Sequence, residues 1–126
     1  MLAPTRLPIS VRVEHGELVV GRGSGGLATG LSGYHDRGNS VWIGWPGESW
    51  RLSPAQRRTL NEQLTALGAV AVDLTAAEVQ RYYDGFSNGV LWPLLHNQLD
   101  RLALTSDGWH TYVLVNQRMM EAVVDL

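Results

Sequence analysis

Residues 53–78 read Ser53-Pro54-Ala55-Gln56-Arg57-Arg58-Thr59-Leu60-Asn61-Glu62-Gln63-Leu64-Thr65-Ala66-Leu67-Gly68-Ala69-Val70-Ala71-Val72-Asp73-Leu74-Thr75-Ala76-Ala77-Glu78. Ser53 suits a helix N-cap, Pro54 the first helical position, and Gln56 completes a capping box. Leu60, Leu64 and Leu67 repeat at helical spacing, and Gly68 is a stop signal. Ala69 to Leu74 then reads as a short buried strand. Thr75 with Glu78 repeats the capping box and opens another helix. A capped helix, a buried strand and a second capped helix point to an α/β fold with a largely parallel sheet.

Working outward, Ile9 to Val13 and Glu17 to Val20 read as short strands with His15-Gly16 as the turn between them. Leu27 to Leu31 looks like the first turns of a helix ending near Gly38. Val41 to Trp45 is a compact strand closed by Pro46-Gly47. Pro4 lacks a ladder donor, which argues against a first central strand of ordinary form. A last helix is expected from about Asp107 to Val124, with Trp109, Tyr112, Val113, Asn116, Met120 and Val123 on its inner stripe.

Composition narrows the function. The chain has 126 residues, which fits one domain, and a hydrophobic content of 44% supports a core. Net charge is −2, with no basic surplus to attract nucleic acid. There are no cysteines, which excludes disulfides and thiolate metal sites. His15, His35, His96 and His110 show no metal-ligand spacing, so no metal is expected. No apolar run approaches the ~20 residues of a membrane span, and the first residues lack the apolar core of a secretory signal. A cytoplasmic protein without membrane partners is the expectation.

Three features carry chemistry. Gly21, Gly23 and Gly26 satisfy G-x-G-x-x-G after a strand, where helix-start N–H groups suit a diphosphate. The pattern is open to three readings: a dinucleotide fold with Glu48 as its ribose acid, a plain surface loop, or a nucleotide-sugar diphosphate site. Arg6, before Leu7-Pro8, offers a forked cation to a phosphate or is an ordinary exposed arginine. Tyr83 and Trp92 each join a flat apolar face to one polar handle, which sugars require and which core packing also uses. Tyr82 and Tyr83 point about 100° apart on a helix, so one faces a site while the other packs inside.

Taken together, Arg6-Leu7-Pro8, the run Ser24 to Leu31, Trp42-Ile43-Gly44-Trp45-Pro46-Gly47-Glu48 and the run Arg81 to Pro93 resemble the trehalose-6-phosphate synthase family, GT-B retaining glucosyltransferases of glycosyltransferase family 20. Val115-Asn116 fits as well. The Tyr-Tyr-x-x-Phe-Ser-Asn-x-x-Leu-Trp-Pro run is specific, and the resemblance covers nearly the whole chain. It implies a partial Rossmann-like fold, with residues 1–126 as an incomplete, acceptor-side N-terminal domain and the nucleotide-sugar domain absent. It implies glucose transfer from UDP-glucose to glucose 6-phosphate with retention, without a cofactor. By resemblance, Arg6, Tyr83 and Trp92 hold glucose 6-phosphate, and Gly25 and Gly26 face the donor diphosphate. Nucleotide sugar and sugar phosphate are then the partners.

Departures from the family shape further expectations. Met1 to Thr5 replaces the usual strand and Ser-Asn, and His96-Asn97 replaces His-Tyr. A Trp-x-His-Asp-Tyr-His-Leu segment would follow Leu126. Because transfer needs both substrates held together, the 126 residues alone are expected to be inactive. The alternatives are a stand-alone binding or regulatory module, which would form a homo-oligomer or pair with the missing domain, and a relative making another glucosyl phosphate such as glucosylglycerol phosphate.

Overall fold

A computed structural model of the chain describes residues 1–23, 30, 40–103 and 105–126. The expected helix from Leu27, apart from Gly30, and the second half of the glycine segment, Gly25 and Gly26 included, lie outside the described residues. Strand β1 (Arg6–Glu14) turns at His15 and Gly16, both with positive φ, into β2 (Glu17–Arg22). Such a two-residue turn matches strand twist and makes a tight antiparallel hairpin. Strand β3 (Trp42–Gly47) lies beside β1 in parallel, and β4 (Ala69–Ala71) lies parallel on its other side. The order is β2-β1-β3-β4. The chain is therefore α/β with a mostly parallel sheet.

Helix α1 (Pro54–Ala66) begins at the Ser53 cap, with both capping-box bonds formed to Gln56. Leu60 and Leu64 are buried, while Leu67 is half exposed at the helix end. Helix α2 (Ala76–Val79) begins at the Thr75–Glu78 capping box. It runs into a π-helix (Gln80–Leu91), then α3 (Trp92–Leu95). Helix α4 (Trp109–Val124) ends the fold.

The sheet is covered on both faces, so β3 is buried throughout, as a central parallel strand should be. Alternation along β3 separates two cores. Ile43 and Trp45 pack with Val72, Leu74, Tyr82, Val115 and Met119 beneath the π-helix and α4. Trp42 packs with Leu7, Val11, Leu60 and Leu64 beneath α1.

Two expectations are corrected and a third holds in part. β1 is central despite Pro4, with Leu2 bridging Trp42 ahead of the proline and Thr5 O accepting from Trp45 N at 2.9 Å after it. Its ladder with β3 is not of ordinary form, however: the register shifts between Arg6 opposite Trp45 and Val11 opposite Gly47. The strand after α1 is shorter than expected, because only Ala69–Ala71 pairs with β3. The buried stripe of α4 is Thr111, Val115 and Met119, while Trp109 and Met120 are more than half exposed. Tyr112 and Val123 do pack against the core. Apolar residues surround α4, so their size alone did not single out its inner face.

Candidate functional site

The parallel register of β1 and β3 sets Arg6 opposite Trp45. From there the Arg6 guanidinium carbon lies 5.2 Å from the Trp45 ring centroid and 5.9 Å from that of Tyr83. The two rings are 5.9 Å apart and tilted by 57°. Trp50, on the turn after β3, stacks against Trp45 at 6.1 Å with 13° between planes. Two aromatic rings therefore lie under Arg6, and a third stacks on one of them.

This group belongs to an open cleft of about 530 Å3, lined also by Glu48 and Asp84. Glu48 is engaged with Arg51 at 2.9 Å. Among the described residues, no carboxylate lies within salt-bridge distance of Arg6. A cation held over two ring faces gains from their quadrupoles but keeps its donors free for an anion.

The adjacent tyrosines divide as their neighbouring positions require. Tyr83 is half-buried at the cleft, and Tyr82 is buried in the core. The Tyr82 hydroxyl meets Thr5 Oγ1 at 3.1 Å and its ring packs on Tyr112. Burial raises its pKa above the ordinary phenol value, partly offset by the Thr5 hydrogen bond. The pairs Thr5–Tyr82 and Arg6–Tyr83 thus fasten the start of β1 to the π-helix at two consecutive residues.

Trp92 does not line this cleft. It sits at the end of the π-helix, 54% exposed, with its ring 3.6 Å from that of His96. The structure thus brings Arg6 and Tyr83 together and leaves Trp92 apart, further along the same helical segment. Trp45 was not among the residues expected at the site. Its signal was the Trp42-Ile43-Gly44-Trp45 alternation, which puts Ile43 and Trp45 on one face of the strand.

The strand before the glycine segment, β2, is antiparallel to β1 at the sheet edge. A dinucleotide βαβ unit needs a parallel strand there, and Glu48 is paired with Arg51, so the dinucleotide reading loses both its supports. No group of three or more potential metal ligands occurs among the described residues. None of the described helices is long and apolar enough to cross a membrane.

Comparison with known proteins identifies the family. The family model for glycosyltransferase family 20 matches residues 3–126. The chain belongs to glycosyltransferase family 20. A trehalose-6-phosphate synthase of Mycolicibacterium gilvum is 37% identical over 123 residues, covering 97% of this chain and 24% of that protein. A UDP-forming alpha,alpha-trehalose-phosphate synthase of Emericella nidulans is 35% identical over 126 residues, covering 98% of the chain and 24% of its own length. A trehalose-6-phosphate synthase of Mycobacterium tuberculosis is 33% identical over 125 residues, covering 97% and 25%. This family 20 chain spans about a quarter of the length of the curated relatives it matches.

Proposed function

We propose that this chain forms the acceptor side of a trehalose-6-phosphate synthase, an enzyme that moves glucose from UDP-glucose to glucose 6-phosphate with retention. The observation that carries the reading is the Arg6 guanidinium, without a salt-bridge partner among the described residues and held over Trp45 and Tyr83 in an open cleft. Phosphate takes a forked cation, and the C–H faces of a sugar take aromatic rings. Asp84 at the rim offers an acceptor to sugar hydroxyls. Membership of family 20 supports the reaction, and the UDP-forming name of one relative supports UDP-glucose as donor. In this reading Trp92 adds to the sugar site, Gly25 and Gly26 meet the donor diphosphate, and the enzyme is cytoplasmic.

The test is calorimetric titration of the 126-residue chain with glucose 6-phosphate and, separately, glucose. Binding of the phosphate ester, loss of it in Arg6→Ala and weaker binding of glucose are expected. Equal affinity for both sugars, or binding unaffected by Arg6→Ala, would overturn the reading. The 126 residues alone are expected to form no trehalose 6-phosphate from UDP-glucose above a boiled control.

A further inference from the structure

The π-helix is long for its kind: it runs from Gln80 to Leu91, whereas most π-type bonding is confined to single turns and concentrates at functional sites. Two hydrogen bonds mark its register, and two glycines leave room beside it. Ser87 Oγ donates to Tyr82 O at 2.8 Å, five residues back. The Trp92 N–H donates to Ser87 O, again five back. A Cβ on Gly85 would lie 3.1 Å from Gln80 O, and one on Gly89 would lie 3.5 Å from Asp84 O. Beyond Trp92 the bonding returns to α: His96 N donates to Trp92 O at 3.0 Å, four residues on.

That register decides where two aromatic side chains point. Tyr83 and Trp92 are nine positions apart (92 − 83). In an α-helix of 3.6 residues per turn, nine positions make about two and a half turns and put the pair on opposite faces. With i→i+5 bonding the same nine positions make about two turns and put them on one face. His96 stacks on the Trp92 ring at 3.6 Å and its Nδ1 lies 2.9 Å from Trp92 O.

We propose that the π register of Gln80–Leu91 is what aligns Trp92 with Tyr83, extending the Arg6 cleft along the helix into a longer platform for the acceptor sugar, and that Ser87 is a positioning residue that locks the register. The inference rests on the acceptor reading above. Ser87 acts through the Tyr82 carbonyl, immediately before Tyr83. Gly85 acts by leaving room for the carbonyl of Gln80, which a side chain would crowd.

The experiment is an NMR titration of the 15N-labelled chain with glucose 6-phosphate, following the tryptophan indole N–H signals assigned by single Trp→Phe changes. In the unaltered chain the Trp45 and Trp92 signals should shift along one binding curve. In Ser87→Ala the Trp45 signal should still respond, with affinity roughly three- to tenfold weaker, while the Trp92 response is lost. Ser87→Thr, which keeps the hydroxyl, should restore it. Gly85→Ala, which disfavours the π register by crowding, should behave like Ser87→Ala and serves in its place if that variant does not fold. A Trp45 response without a Trp92 response in the unaltered chain would overturn the alignment. So would a Trp92 response unchanged in Ser87→Ala and Gly85→Ala. Failure of Ser87→Thr to restore the response would remove the positioning role from the hydroxyl. Silence of both indoles would sink the acceptor reading itself, and this inference with it.

Discussion

Thr5 Oγ1 lies 3.1 Å from the Tyr82 hydroxyl, one residue before Arg6 takes its place over the Tyr83 ring. The core bond and the cleft contact are therefore coupled through two short stretches of backbone. Thr5→Val should leave the buried Tyr82 hydroxyl without this partner and destabilise the chain by about 1–2 kcal/mol. Adding Tyr82→Phe should recover part of that loss, because both polar ends are then gone. Urea unfolding of the two single variants and the double variant measures the coupling. Strictly additive losses would show that the pair contributes nothing specific.

The Glu78–Arg118 pair makes stability depend on acid. Arg118 Nη2 donates to Glu78 Oε1 at 2.8 Å, and Arg118 Nη1 also donates to Asp73 O at 3.0 Å, so α4 is tied to the start of α2. The Arg118 hydrogen bond, helped by those from Thr75, lowers the Glu78 pKa from 4.5 to about 2, against the opposing effect of partial burial. The folded chain thus holds the Glu78 proton less tightly than the unfolded chain. The stabilisation is complete above about pH 4.5 and is lost as pH falls from there toward 2. Both side chains are partly exposed, at 22% and 43%, so solvent screening limits the effect. Glu78→Gln keeps a side chain able to close the capping box, as Gln56 does for Ser53. It should cost about 1 kcal/mol near pH 7 from the lost charge pairing and flatten stability between pH 2 and 4.5. Thermal melts of both proteins across that range test the sign.

Gly47 carries two constraints at once. Its φ is +124°, and a Cβ there would lie 2.9 Å from Val11 N and O on the neighbouring strand. The following N–H, of Glu48, donates to Val11 O at 3.1 Å, which fixes the turn at the cleft edge. Gly16 also has a positive φ, +84°, but a Cβ there would meet nothing within 4 Å. Gly16→Ala should therefore cost about 1 kcal/mol from backbone strain alone, and Gly47→Ala about 2–4 kcal/mol. Denaturation midpoints of equal size would mean that the Val11 approach does not matter.

The particular residues show why some elements could be read from sequence and others not. Ser53 with Gln56 and Thr75 with Glu78 act within four residues, so their caps formed where local chemistry placed them. His15-Gly16 was equally local. The π-helix was not legible, because Tyr82 and Phe86 suit the inner face of an α- or a π-register alike. Gly85, Ser87 and Gly89 hinted only that an ordinary α-helix was a poor choice there. On α4 the large residues Trp109, Leu114 and Met120 face outward, while Thr111 is buried. At the site, Arg6 and Tyr83 meet only because β1 runs parallel to β3 beneath the π-helix, a relationship between residues 77 positions apart (83 − 6).

Arg6→Lys separates charge from shape in the cleft. Lysine keeps the positive charge but loses the flat guanidinium over Trp45 and Tyr83, and with it the paired donors that fit a phosphate. If charge alone held the phosphate ester, the variant would bind it as well as the unaltered chain does. If the fork and the ring contact matter, affinity for glucose 6-phosphate should fall about tenfold, equivalent to ~1.4 kcal/mol. Unfolding stability should change by no more than about 1 kcal/mol, since Arg6 has no carboxylate partner among the described residues to lose and its ring contacts are worth little more. Calorimetric titration beside a thermal melt reads both quantities. A large loss of stability with unchanged affinity would make Arg6 a structural residue and remove it from the site.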